Sequence, residues 1–306
     1  MRYISPFILS IVMFFSAVPA LSSDDDLDQC MVLYYEQKNN KQAFPVCLEL
    51  ANEGRLHAMY ALGSMFVQGL GTPQDINQGI SWLTKAAEQG NIGAQGFIGA
   101  IYGDGKLVPQ DYKQSLYWYT KAAEQGHPLA QNLLGTMHGI GMGTPKDYKM
   151  SAYWYEKAAW QGDANSQGAI GAFYHQGLGV VQDYKQAFYW RKKAAEQGEV
   201  RAQSGLGEQY YNGEGVVRDY KKAVYWSTKA AKQGNALSQE LLGLFFITGE
   251  GVIADRVEAY AWYNIASAQG KESAIQAREL LQQDMTPSEL EKGQELSKEY
   301  YNKYVR

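Results

Sequence analysis

Six of the seven tryptophans, Trp82, Trp118, Trp154, Trp190, Trp226 and Trp262, stand 36 residues apart. The same companions recur in phase around each of them. An alanine follows four residues later (Ala86, Ala122, Ala158, Ala194, Ala230, Ala266) and a glycine eight residues later (Gly90, Gly126, Gly162, Gly198, Gly234, Gly270). An aspartate precedes by seven residues (Asp75, Asp111, Asp147, Asp183, Asp219, Asp255). Four residue types held in register six times mark a tandem repeat. A unit of this length is one supersecondary motif that buries its apolar face only by stacking on its neighbours. That overrides the roughly two ordinary domains that length alone would suggest.

Each position has a physical role. The aspartate follows a turn and precedes a helical pattern, as an N-cap whose carboxylate accepts the free first-turn amides of a helix B. Small residues three before and four after the tryptophan, such as Ser115 and Ala122 or Ala223 and Ala230, flank the large ring and suit close packing. The glycine closes helix B in a left-handed conformation. Asn91, Asp163 or Asn235 then caps the next helix, and Pro128 sits at a first helical position. Helix A carries Leu62-Gly63, Ile98-Gly99, Leu134-Gly135, Ile170-Gly171, Leu206-Gly207 and Leu242-Gly243. Glycine inside a helix costs ~1 kcal/mol relative to alanine, so its recurrence implies close approach of a neighbouring backbone. Gly-X-Gly turns such as Gly213/Gly215 join the helices; the second unit departs, with Leu107 two residues after Gly105. No strand precedes these glycine pairs, so they lack the context of a phosphate cradle.

Tyr-Trp-Tyr-X-Lys-Ala-Ala-Glu-Gln-Gly over Tyr117 to Gly126, with Gly-X-Gly-Val-Val-X-Asp-Tyr-Lys-Lys-Ala over Gly213 to Ala223, closely resembles the Sel-one-like repeat, a longer-looped relative of the tetratricopeptide repeat. The resemblance implies an all-α fold, a right-handed α/α superhelical solenoid of helix-turn-helix repeats, and an adaptor role in protein complexes. It divides the chain into repeats at 55–90, 91–126, 127–162, 163–198, 199–234 and 235–270. Residues 23–54 are expected to form a shortened capping hairpin, with Val46 where tryptophan would fall, and residues 271–306 C-terminal capping helices.

The N-terminus adds a compartment. Arg2, an apolar run of about 15 residues and Ala-Val-Pro-Ala read as a secretory signal peptide over residues 1–22. The run is shorter than the ~20 residues of a membrane anchor, which ranks second. Export is expected, to the periplasm ahead of the medium, with no stable membrane insertion after cleavage. The two cysteines, Cys30 and Cys47, lie symmetrically about Lys38-Asn39-Asn40, so an antiparallel hairpin sets them opposite each other. A disulfide is expected there, worth roughly 3 kcal/mol by loop entropy, with two buried thiols as the alternative.

A formal charge of −4 without a basic patch argues against nucleic acid as a partner. No Ser-X-X-Lys, Gly-X-Ser-X-Gly, His-Glu-X-X-His or phosphate-loop string occurs, and His57, His127, His138 and His175 have no ligand pattern beside them. No catalytic residue, cofactor or metal is therefore expected. A protein or peptide partner is, on the concave face that helix A lines in related solenoids. Two helix A positions vary while their neighbours hold: Tyr60, Gly96, Asn132, Gly168, Ser204, Glu240 and Ser64, Ala100, Thr136, Ala172, Glu208, Leu244. Tyr60, Asn132, Ser204, Glu208, Tyr211 and Glu240 are the candidate partner-binding residues, with Trp160 as a further available aromatic. Glu208 and Glu240 suggest an extended peptide carrying positive charge. The alternatives are an envelope factor that binds or acts on peptidoglycan or β-lactams, and a secreted host-contact factor.

Overall fold

The computed structural model describes residues 29–305, so the expected signal peptide lies outside the described residues. All regular structure among them is helical, and no helix is long and apolar enough to cross a membrane. The chain forms two compact units that divide after Ala158.

The first unit opens with α1 (Gln29–Met31), which runs into a π-turn (Val32–Glu36), and α2 (Asn40–Asn52). Lys38, at φ 52°, reverses the chain between them. Cys30 and Cys47 are joined by a disulfide and fully buried. Then follow α3 (Leu56–Gln68), α4 (Ile76–Glu88), α5 (Ile92–Asp104), α6 (Tyr112–Glu124), α7 (Pro128–Ile140) and α8 (Tyr148–Trp160), whose last two residues, Ala159 and Trp160, belong to the second unit. The second unit holds α9 (Ala164–Gln176), α10 (Tyr184–Glu196), α11 (Val200–Asn212), α12 (Tyr220–Ala231), α13 (Ala236–Thr248) and α14 (Arg256–Ala268). It ends with α15 (Glu272–Gln283) and α16 (Pro287–Tyr304). From α3 to α14 the odd-numbered helices are the A helices and the even-numbered ones the B helices. Within each unit successive hairpins stack side by side, the arrangement of an α/α solenoid.

Local chemistry accounts for the hairpins. All six repeat aspartates accept first-turn amides, as in Lys185 N–H to Asp183 Oδ1 at 2.8 Å. The amide of each of these aspartates donates back to helix A, as Asp183 does to the Tyr174 carbonyl at 2.9 Å, which closes the loop as a fixed turn. The two turn glycines do different work. Gly213 ends α11 at φ 77° in the left-handed region. Gly215, at φ 71°, lies where a Cβ would overlap the Tyr184 carbonyl oxygen of the preceding B helix. The glycine within helix A is a landing site for helix B. A Cβ at Gly99, Gly135 or Gly243 would stand 2.6–2.8 Å from the ring of Tyr119, Tyr155 or Tyr263.

Buried glutamines tie neighbouring repeats together. Gln203 Nε2 donates to the Ala195 carbonyl at 3.1 Å, and its Oε1 accepts from Gln233 Nε2 at 2.8 Å. The same pattern joins Gln95 to Gln125, Gln167 to Gln197 and Gln239 to Gln269. Both ends are closed by packing. Tyr34 bonds Ser64 at 2.9 Å over α3, and α16 covers α14, where Tyr300 donates to Glu258 at 3.1 Å and Tyr304 stacks on Trp262.

Candidate functional site

The expected partner residues do not share one environment. Tyr60 is 3% exposed, which corrects the expectation that it is available: Tyr34 and Tyr35 of the first hairpin lie over it, and burial raises its hydroxyl pKa. Ser204 is corrected in the same way, at 5% exposed. Tyr211 is half-buried, packed against Tyr220 and Phe245. Asn132 is half-buried on α7 of the first unit. Trp160 is 64% exposed and lies beside Tyr189. Of the repeat tryptophans, Trp118, Trp154, Trp190 and Trp262 are buried, whereas Trp82 and Trp226 are half-buried.

In the second unit Glu208 and Glu240, both half-buried, belong to a group of charges on the A-helix side. Glu240 is paired with Lys271 Nζ at 3.4 Å. Glu214, in the loop after α11, meets His175 Nε2 at 2.9 Å. Arg191, which comes from α10 and is only 7% exposed, has Glu208 and Glu214 as its charged neighbours. Its stem crosses Gly171 and its guanidinium lies against Gly205, with Nη1 donating to the Gly205 carbonyl at 3.3 Å. Burial lowers the Arg191 pKa, opposed by Glu208 and Glu214. Burial likewise raises the Glu208 carboxyl above the ordinary glutamate range, opposed chiefly by Arg191. Tyr263 is pushed up to about 12 by burial and then by Glu240.

The arrangement suits charge recognition: one buried cation and one acid without an ion pair, the acid within electrostatic reach of His175, Glu214 and Lys271 of the two pairs that are made. Sequence reasoning found Glu208 and Glu240 but missed Arg191, His175, Glu214 and Lys271. A signal existed for Arg191. The residue after the repeat tryptophan is Leu83, Tyr119, Tyr155, Ser227 or Tyr263 elsewhere, and the position of Gly205 is Ala61, Phe97, Leu133, Ala169 or Leu241. The chain departs from its own repeat at two positions that touch. Among the described residues no three His, Cys, Asp or Glu side chains gather as a metal site.

Comparison with known proteins agrees with this architecture. The Sel1 repeat matches residues 56–91, 93–127, 128–163, 164–199, 200–235 and 236–271. The crystal structure of a Sel1 repeat protein from Oxalobacter formigenes is 31% identical, covers 79% of this chain and 97% of its own, and superposes with a TM-score of 0.65. A protective antigen of uropathogenic Escherichia coli strains that displays the same repeat fold is 26% identical, over 87% of this chain and 80% of its own, with a TM-score of 0.47. No curated protein matches significantly. Sel1 repeat proteins are in general protein-interaction scaffolds without catalysis of their own. Six matched repeats and a relative aligned over nearly its whole length establish that the chain belongs to the Sel1 repeat family.

Proposed function

We propose that the protein is a non-enzymatic adaptor of the cell envelope that holds a protein or peptide partner against its A helices, the face that is concave in related solenoids. The observation that carries this reading is the gathering of Arg191, Glu208, Glu240 and Lys271 on the A-helix side of the second unit, where half-buried charges meet a partner with little competition from bulk water. The disulfide of the first hairpin suits an oxidising compartment, and with residues 1–22 as a signal peptide it supports a periplasmic location, with release from the cell as the other destination.

In-cell photo-crosslinking from positions 132, 208 and 240, with exposed position 121 on α6 as control, tests the reading. The expected result is one protein captured from the three helix A positions and absent from the control. Equal capture at all four positions, or none at any, overturns it.

A further inference from the structure

We infer that Arg191 anchors a carboxylate of the partner and that, together with Glu208, it selects a peptide ending in a basic residue with a free α-carboxylate. This rests on the helix A face being the docking surface.

A buried arginine is normally paired, because removing a guanidinium from water is costly unless its donors are satisfied. Arg191 has five N–H donors. Its one hydrogen bond goes to a neutral acceptor, the Gly205 carbonyl, and it makes no ion pair. The carboxylates that face it are Glu208 and Glu214, and Glu214 is already engaged by His175 at 2.9 Å. Glycine at 205 leaves the guanidinium room that alanine, leucine or phenylalanine takes in the other repeats. A planar fork of donors matches a carboxylate through two parallel bonds.

The surroundings narrow the choice of anion. Phosphate, with nearly two negative charges, is repelled by Glu208 and Glu214, whereas a single carboxylate with a cation beside it is not. Glu240 is taken by Lys271, so Glu208 is the acid left to receive that cation. A C-terminal lysine or arginine carries both charges on one residue.

Short peptides with randomised bodies and defined C-terminal residues, lysine or alanine, each as free acid or amide, would be passed over the immobilised full chain and the retained species quantified by mass spectrometry. Peptides ending in lysine with a free carboxylate should be enriched roughly tenfold over the other three classes, the usual effect of one or two charged hydrogen bonds. Arg191→Tyr restores the residue that Tyr119, Tyr155 and Tyr263 supply in other repeats, so its melting temperature should hold while the preference for acid over amide disappears. Glu208→Gln should remove the preference for lysine over alanine and keep that for the acid. No end preference in the wild-type chain, or one that survives Arg191→Tyr, overturns the inference. If crosslinking from positions 208 and 240 persists in the Arg191→Tyr chain without any end preference, the inference fails and the helix A surface stands. If the wild-type chain captures nothing, the surface itself is wrong.

Discussion

His127 occupies the N-cap position of α7, where Asn91, Asp163 and Asn235 cap other A helices with their side chains. Burial holds its imidazole down to about 4, from an ordinary value of 6.5. Between those values the unfolded chain binds a proton that the native chain refuses. The stability contribution is therefore complete above 6.5 and is lost as pH falls towards 4. The first unit should melt at progressively lower temperature across that window. His127→Asn, which restores the side-chain cap of the neighbouring repeats, should flatten this part of the profile. Circular-dichroism melts of the two chains at a series of pH values check the prediction, and identical slopes would refute it.

Between elements, the glutamines set the register of stacking. Gln95, Gln167, Gln203 and Gln239 each span a gap between repeats with two hydrogen bonds. Gln203→Leu keeps the volume but leaves the Ala195 carbonyl and Gln233 Nε2 without that partner. Each of these groups keeps another partner, the Gly198 amide for the Ala195 carbonyl and the Gly198 carbonyl for Gln233 Nε2, so the loss is the net value of two hydrogen bonds, about 1–3 kcal/mol. Gln186→Leu, at an exposed position of α10, should cost little by comparison. Urea denaturation of both variants measures the difference.

At the scale of the molecule, a repeat array interacts mainly between neighbours, so its ends need reinforcement. The C-terminal end has α16 laid over α14 with a capping box at Thr286 and Glu289. The N-terminal end has a short helix interrupted by a π-turn, and the Cys30–Cys47 bond compensates for what that small hairpin lacks in core. Replacing both cysteines by alanine should lower the stability of the first unit by roughly 3 kcal/mol on the loop-entropy estimate. The loss should appear first as faster amide exchange in α2 and α3 and fade along the unit. Uniform loss of protection across the unit would mean that it unfolds as one block and that the staple has no local role.

The sequence by itself determined the architecture, because its signals are local. Caps, left-handed glycines and the 36-residue phase of Trp82 to Trp262 each act over a few residues and repeat six times. It also brought Glu208 and Glu240 into view as departures on a helical face. Tertiary structure alone decided which departures face solvent and which are buried. Tyr60 varies as freely as Glu240 along the repeat, yet the first hairpin covers it, and nothing in the repeat reveals what an end element lies on. The charged group depends on side chains far apart in the chain, with His175 meeting Glu214 across 39 residues. Periodicity sets where a backbone turns. The reach of Arg191 across Gly205 towards an acid depends on the distance between two packed helices.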